Sequence, residues 1–301
     1  MKKCFLLLLY FNSLVGSAQT MVKDNFIKGT VLRYVNFPSL LVEPRNIDIW
    51  LPSDYDNSGR TKYAVLYMHD GQCLFTPATS FNGSEWRMDE VMDSLILNNQ
   101  IRKTIIVGIW NTSKRFIEFN PEDPYNELDS LKKIKISCEY TGGSAANAYI
   151  DFIFSELKPF IDKSFPVKTD VKNTFMMGSD MGALLSLYAL CRKSDQIKGI
   201  ACLSTKWALS ITDYNAGISK SYLSYFGRKL PNPRQHKIYF DYSSVSPDTL
   251  YETYQMLMDA NCTENAYLLN KDFLSYKFEG AAHNIKAWSS RVAIPLKFLL
   301  Y

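Results

Sequence analysis

Short stretches rich in β-branched and aromatic residues recur along the chain, each closing at a polar residue or a glycine: "NIDIWLP", "KYAVLYMHD", "TIIVGIW", "NTFMMGS", "IKGIACLS", "HKIYFDY" and "LSYKFEG". This pattern predicts β-strands. Several are apolar on both faces, as strands of a buried parallel sheet must be. Between them the apolar positions switch to helical spacing, which predicts helices over Glu85 to Leu97, Ala148 to Ser164, Met181 to Arg192, Thr249 to Asn261 and Asn284 to Leu300. In the second of these, Tyr149, Phe152, Ile153, Leu157, Phe160 and Ile161 fall on one face. Alternating strands and helices imply an α/β fold, a mostly parallel central sheet with helices on both faces. The early segment "GTVLRYVNFPSLLVEPRNIDIWLP" carries no helical pattern, and we expect it to form an antiparallel N-terminal edge. Residues 111–146 form a long polar stretch of the kind that builds either a binding surface or a surface excursion.

Composition narrows the class of protein. The chain has 301 residues, 47% hydrophobic and 21% charged, which is ordinary globular usage. Residues 20–301 suffice for one domain with a single core. The net charge of +4 includes Lys2 and Lys3, and no dense basic run is present, so no nucleic-acid partner is expected. The first 19 residues, "MKKCFLLLLYFNSLVGSAQ", have the charged start, short apolar run and small residues of a cleavable secretory signal. That predicts a periplasmic or secreted protein, a retained anchor being the alternative. Cys4 precedes the apolar run, too early for the usual lipid attachment, and no later segment is apolar enough to span a bilayer. Without Cys4 the cysteines are Cys73, Cys138, Cys191, Cys202 and Cys262, an odd set that leaves at least one thiol unpaired. Cys191 and Cys202 lie in apolar patterns and read as small buried hydrophobes. None has CxxC spacing, and neither a metal nor a cofactor is expected.

The candidate chemistry lies in "MMGSDMGALLSLYAL", residues 176–190, where a strand breaks sharply into a helix. Many hydrolases carry Gly-x-Ser-x-Gly at such a turn, with the serine as nucleophile on a strained backbone. Here Gly178 and Gly182 bracket Asp180, and the serine, Ser179, stands one place upstream. The N–H of Met181 would supply half of an oxyanion hole. Such hydrolases follow the nucleophile with an acid and then a histidine. Asp248 comes after the strand "HKIYFDY", and His283 lies in a loop after the last strand. Of the other histidines, His236 is expected at the surface and His69 is expected to shape a loop.

At these residues the chain resembles esterases of the α/β-hydrolase superfamily, a group that includes trilactone siderophore esterases, feruloyl and acetyl-xylan esterases, S-formylglutathione hydrolase and mycolyl transferases. The resemblance runs from about residue 30 to the end and rests on "MHDGQCLF", "TSFNGSEWRMDE", "TIIVGIWNT", "KRFIEFNP", "SELKPFID", "CLSTKWAL" and "AAHNIKAW". It implies an α/β-hydrolase fold, an ancestral carboxylic-ester substrate such as an acylated sugar or siderophore, and a role for the loop at Gly71 and Gln72 in the oxyanion hole. The departures are specific. The family turn reads glycine-serine-serine-methionine-glycine-glycine, and Asp180 replaces its nucleophilic serine. The family acid follows a glycine-threonine pair, where this chain has Ser243-Ser244-Val245; Asp248 lies one helical turn further on and is the available substitute. A family histidine before Trp207 is Lys206 here.

Three roles are open to Asp180. As a nucleophile it is already ionised at neutral pH, but it attacks ester carbonyls poorly. It also sets a full charge beside donors meant for an oxyanion: like charges 4 Å apart repel by roughly 4 kcal/mol at an effective dielectric near 20, which cancels the about 3–4 kcal/mol that one oxyanion donor supplies. As a structural residue it caps a helix and pairs with protonated His283. As an orienting acid it holds His283 while the imidazole activates water. The sequence therefore predicts an exported esterase-like protein with a degenerate triad, non-hydrolytic or weakly active, with an active hydrolase using Asp180 or His283 as the alternative. The expected partner is a small-molecule or carbohydrate-linked ester, with Trp86, Arg115, Lys206, Trp207 and Trp288 as candidate ligand contacts.

Overall fold

The computed structural model describes residues 19–22, 24–140, 142–210 and 217–301. The expected leader lies outside the described residues except for Gln19, which begins the first strand. The strands are β1 (Gln19–Met21), β2 (Thr30–Phe37), β3 (Arg45–Leu51), β4 (Ala64–His69), β5 (Thr104–Ile109), β6 (Thr174–Ser179), β7 (Gly199–Leu203), β8 (Lys237–Ser243) and β9 (Phe273–Phe278). They form one sheet in the order β1-β2-β3-β5-β4-β6-β7-β8-β9. The pairs β1–β2, β2–β3 and β3–β5 are antiparallel, and every pair from β5 through β4 to β9 is parallel. The helix-free early segment thus forms the antiparallel edge.

The central strands are apolar on both faces because both faces are covered. In β4, Val65 and Tyr67 join one core, while Ala64, Leu66 and Met68 join the other. This alternation is the two-residue period of a strand read from both sides. Helix α1 (Met88–Leu97) buries Met88, Met92, Leu95 and Ile96 on the second core. On the opposite face pack α5 (Ala146–Phe152), α6 (Lys158–Ser164) and α7 (Met181–Arg192). Between α5 and α6 the chain widens into a π-turn, Ile153–Leu157, which ends two residues before Pro159. Proline has no N–H and its ring crowds the carbonyl four residues back, so a wider turn relieves a conflict that a regular helix would carry.

The structure departs from expectation in several elements. The polar stretch 111–146 is largely helical: α2 (Arg115–Phe119), α3 (Glu122–Asn126) and α4 (Ser130–Tyr140). Helix α8 (Gly217–Lys229) was not anticipated, and the helix expected from Thr249 begins as a short 3-10 turn, Asp248–Leu250, before α9 (Glu252–Glu264). The last expected helix is two, α10 (Ile285–Ser289) and α11 (Ala293–Leu300). His236, expected at the surface, is buried, with Nδ1 3.0 Å from the carbonyl of Ile197. No helix among the described residues is long and apolar enough to cross a membrane.

Candidate functional site

Six parallel strands end on the same side, and the loops after their carboxyl ends carry the candidate residues, the usual site location in open α/β sheets. Asp180 occupies the sharp turn from β6 into α7, with φ 54° and ψ −119°. The turn is tight enough that a Cβ on Gly178 would lie 2.6 Å from the backbone of Gly182. Small residues are therefore obligatory there, and the backbone aims the side chain of residue 180 outward from the sheet. Asp180 stands at the N-cap position, yet its side chain makes no cap hydrogen bond. The expected capping role is thus corrected: the strained backbone points the carboxylate toward the site rather than back over the helix.

Three cations surround that carboxylate. Oδ1 lies 3.6 Å from His283 Nε2 and 3.7 Å from Lys206 Nζ, and Oδ2 lies 3.5 Å from Arg115 Nη1. Burial disfavours its charge, but the His283 ring and the charges of Lys206 and Arg115 outweigh that and hold its pKa well below the usual carboxylate range.

His283, in the loop between β9 and α10, meets a second carboxylate on its other face. Its Nδ1 contacts Asp248 Oδ1. Asp248 is fully buried and accepts hydrogen bonds from Ser204 Oγ at 2.6 Å and from the Ser243 N–H at 2.8 Å. Val245, at the position of the family acid, lies in the turn that brings Asp248 back, where its carbonyl accepts the Asp248 N–H at 3.0 Å. Burial alone would push the imidazole down. The flanking carboxylates Asp180 and Asp248 overcome it and push His283 up to about 9. At neutral pH the ring is an imidazolium, with a donor rather than a lone pair at Nε2.

A second layer steadies this arrangement. Ser204 Oγ accepts from Trp288 Nε1 at 2.9 Å and from Arg291 Nη2 at 3.2 Å, and Arg291 forms a buried pair with Asp241, closest at 2.8 Å. Asp70, after β4, holds Arg115 through two 2.8 Å hydrogen bonds and accepts another from Asn111. None of Asp70, Asn111, Ser204, Asp241 or Arg291 was singled out from sequence. Asp70 had the nearest thing to a signal, its place in the "MHDGQCLF" loop; Arg291 had none.

A cavity of about 520 Å³ opens over these groups, lined among others by Asp70, Gln72, Trp86, Arg115, Asp180, His283 and Trp288. Trp86 and Trp288 stack with ring centroids 5.6 Å apart, and Trp288 meets the His283 ring edge-on at 4.9 Å. Trp207 is the correction among the candidate contacts. It does not line the cavity; it is buried against Phe226, and its Nε1 donates to Gln255 at 3.0 Å. Lys206 reaches the site through Asp180 rather than as a wall residue. Met181 is the first residue of α7, so its N–H has no intrahelical acceptor, while its side chain is in the core. Gly71 is accounted for by packing, since a Cβ there would lie 2.5 Å from the backbone of Gly108 on β5. Gln72 lines the cavity, and its side-chain oxygen accepts the Asn111 N–H at 3.2 Å. Cys73, Cys138, Cys191, Cys202 and Cys262 are all free, with Cys202 buried and Cys191 half-buried. Among the described residues no cluster of three or more His, Cys, Asp or Glu side chains is arranged to hold a metal ion.

Comparison with known proteins follows this geometry. The Esterase family model, whose description reads "Putative esterase", matches residues 39–293. The Bacillus subtilis (strain 168) protein YjcH is 27% identical over 159 residues, 53% of this chain and 55% of YjcH, so the match spans little more than half of that relative. YbbA of the same strain is 19% identical over 268 residues, 85% of this chain and 92% of YbbA. A ferulic acid esterase structure superposes with a TM-score of 0.64 at 18% identity, covering 91% of this chain and 98% of that one. The enterobactin esterase FES from Shigella flexneri gives 0.63 at 14% identity, with 95% and 59% covered. An IroE-like serine hydrolase from Shewanella oneidensis gives 0.60 at 17%, with 94% and 79% covered. At such identities the structural likeness speaks for the fold alone. From the family match and the sheet together, the chain belongs to the Esterase family and has the α/β-hydrolase fold.

Proposed function

We propose that this protein is an exported esterase relative whose cavity binds a small-molecule or carbohydrate-linked ester-type ligand and hydrolyses it weakly or not at all. The observation that carries this reading is His283 held between two carboxylates, Asp248 on Nδ1 and Asp180 3.6 Å from Nε2. A serine nucleophile needs a histidine lone pair to take its proton. Here the nucleophile position carries a charge that fills that role's partner site and keeps the ring protonated. The same charge opposes a developing oxyanion. Attack by Asp180 itself is further weakened because both its oxygens face cations. The acid half of the machinery, Asp248 with Ser204 and Ser243, supports descent from a hydrolase. Export rests on the leader pattern at residues 1–19.

The test is Asp180→Ser, assayed at pH 7 on p-nitrophenyl acetate beside the native protein. The native protein should match the buffer rate, and Asp180→Ser should hydrolyse the ester unless His283→Ala is added. Native turnover equal to that of Asp180→Ser, and lost in His283→Ala, sinks the reading. Weak hydrolysis through water activated by His283 has its own signature, a native rate that climbs as pH passes about 9.

A further inference from the structure

The ion pairs around the cavity fall into two kinds. Asp70 with Arg115 and Asp241 with Arg291 close to 2.8 Å. Asp180 stands 3.5, 3.6 and 3.7 Å from its three cations. Its Oδ1 therefore faces two positive groups at separations longer than the about 2.7–3.2 Å of a full-strength hydrogen bond. An ionised carboxylate has about four acceptor sites, and 18% of this side chain remains open. Across the gap, His283 has committed Nδ1 to Asp248 and presents Nε2 toward Asp180. The cavity thus holds an under-used acceptor and an under-used donor side by side.

Few groups satisfy both. A hydroxyl accepts from Nε2–H and donates to Oδ1 at once. An ester, ether or carboxylate oxygen only accepts, and would leave Asp180 facing another lone pair. An ammonium only donates, and would face the imidazolium and Arg115. We propose that the ligand of this cavity is a hydroxyl-bearing molecule, a sugar-type or catechol-type diol, with one hydroxyl bridging His283 Nε2 and Asp180 Oδ1, and that the site rejects the O-acylated form of the same molecule. The ligand supplies the hydroxyl that the elbow no longer carries. Gln72, Asn82 and Thr112 add polar edges, and Trp86, Trp288 and Phe81 an apolar face, in a volume suited to one or two rings. The inference rests on the non-hydrolytic reading above and reverses its emphasis from ester to alcohol.

Acylating the bridging hydroxyl removes the donor and sets an ester lone pair against Asp180 Oδ1, which is worth about tenfold to a hundredfold in affinity. The experiment is calorimetric titration of the native protein at pH 7 with methyl β-D-xylopyranoside and with catechol, each against its fully O-acetylated form, with acetate release followed in the same samples. At least one free diol should bind about tenfold or more tightly than its acetate, and which one does so identifies the source. Asp180→Asn should erase most of that preference, and Asp180→Ala should do the same if the asparagine variant does not fold. An acetate that binds as tightly as its diol overturns the proposal, as does absence of binding by both diols. Acetate release by the native protein as fast as by Asp180→Ser overturns the reading of weak or absent hydrolysis instead, and the affinity order is then taken from the early injections before turnover, so the two failures are told apart.

Discussion

Asp248 and Asp180 approach the same imidazole from opposite sides, in opposite kinds of surroundings. Asp248 is fully enclosed: a hydroxyl, a backbone N–H and the ring itself meet its oxygens at close range. Behind it, Trp288 and Arg291 converge on the same Ser204 hydroxyl, and Arg291 is locked to Asp241. Asp180 is set by its backbone turn, and none of its cations comes closer than 3.5 Å. A hydrogen-bond network dictates the residue type at the acid end, because any other group leaves buried donors unpaired. The elbow dictates only where a side chain begins. Chemistry can therefore change at the elbow while the fold persists, whereas change at the acid end costs stability.

The largest expected effect tests the acid end. Asp248→Ala should destabilise the protein by about 3–5 kcal/mol, because it leaves the His283, Ser204 and Ser243 donors buried and unpaired. A loss under about 1 kcal/mol in chemical denaturation would erase the contrast. His283 comes next and carries a pH signature. Its pKa is raised from 6.5 to about 9 in the fold, so the stabilisation from its protonated ring is complete below about 6.5 and is lost as pH rises through about 9. The shift corresponds to about 3 kcal/mol, shared between the two carboxylates. The stability gap between native protein and His283→Ala should be wide at low pH and narrow as pH passes 9; a constant gap means the folded ring is neutral. Asp180→Ser should lower the His283 pKa by about a unit or more, read by NMR titration of the ring, and so cost about 1–2 kcal/mol of stability at neutral pH. An unmoved pKa would show that Asp180 does not govern the ring. The smallest effect is expected for Lys206→Met, below about 1 kcal/mol, since the pair is long and partly exposed.

Much of the sheet was readable from the chain. The strand patterns, the antiparallel edge and helix α7 agree with the structure, because β-branched runs and helical spacing are local signals. The polar stretch 111–146 misled: α2 and α3 have five residues each, too few for a helical period to show, and tertiary contacts hold α2. Arg115 reaches Asp70, and Arg45 pairs with Glu118 at 2.7 Å. Trp207 and Trp288 look alike in sequence, each beside polar residues, yet one lies in the core and the other in the cavity wall. Nothing local distinguishes them, because burial depends on what the rest of the chain brings alongside.

By itself the amino-acid order determined that a strand would break into a helix at Asp180, that small residues would flank the break, and that an acid and a histidine would follow in a workable order. These follow from backbone sterics and short-range periodicity, which act over a few residues. Only the tertiary structure decided that Asp248, rather than any residue at 245, meets His283, and that Arg115 and Lys206 crowd around Asp180. Those relations join residues far apart in the chain, and they set a charge balance that depends on separations of a few ångströms across the ends of six strands.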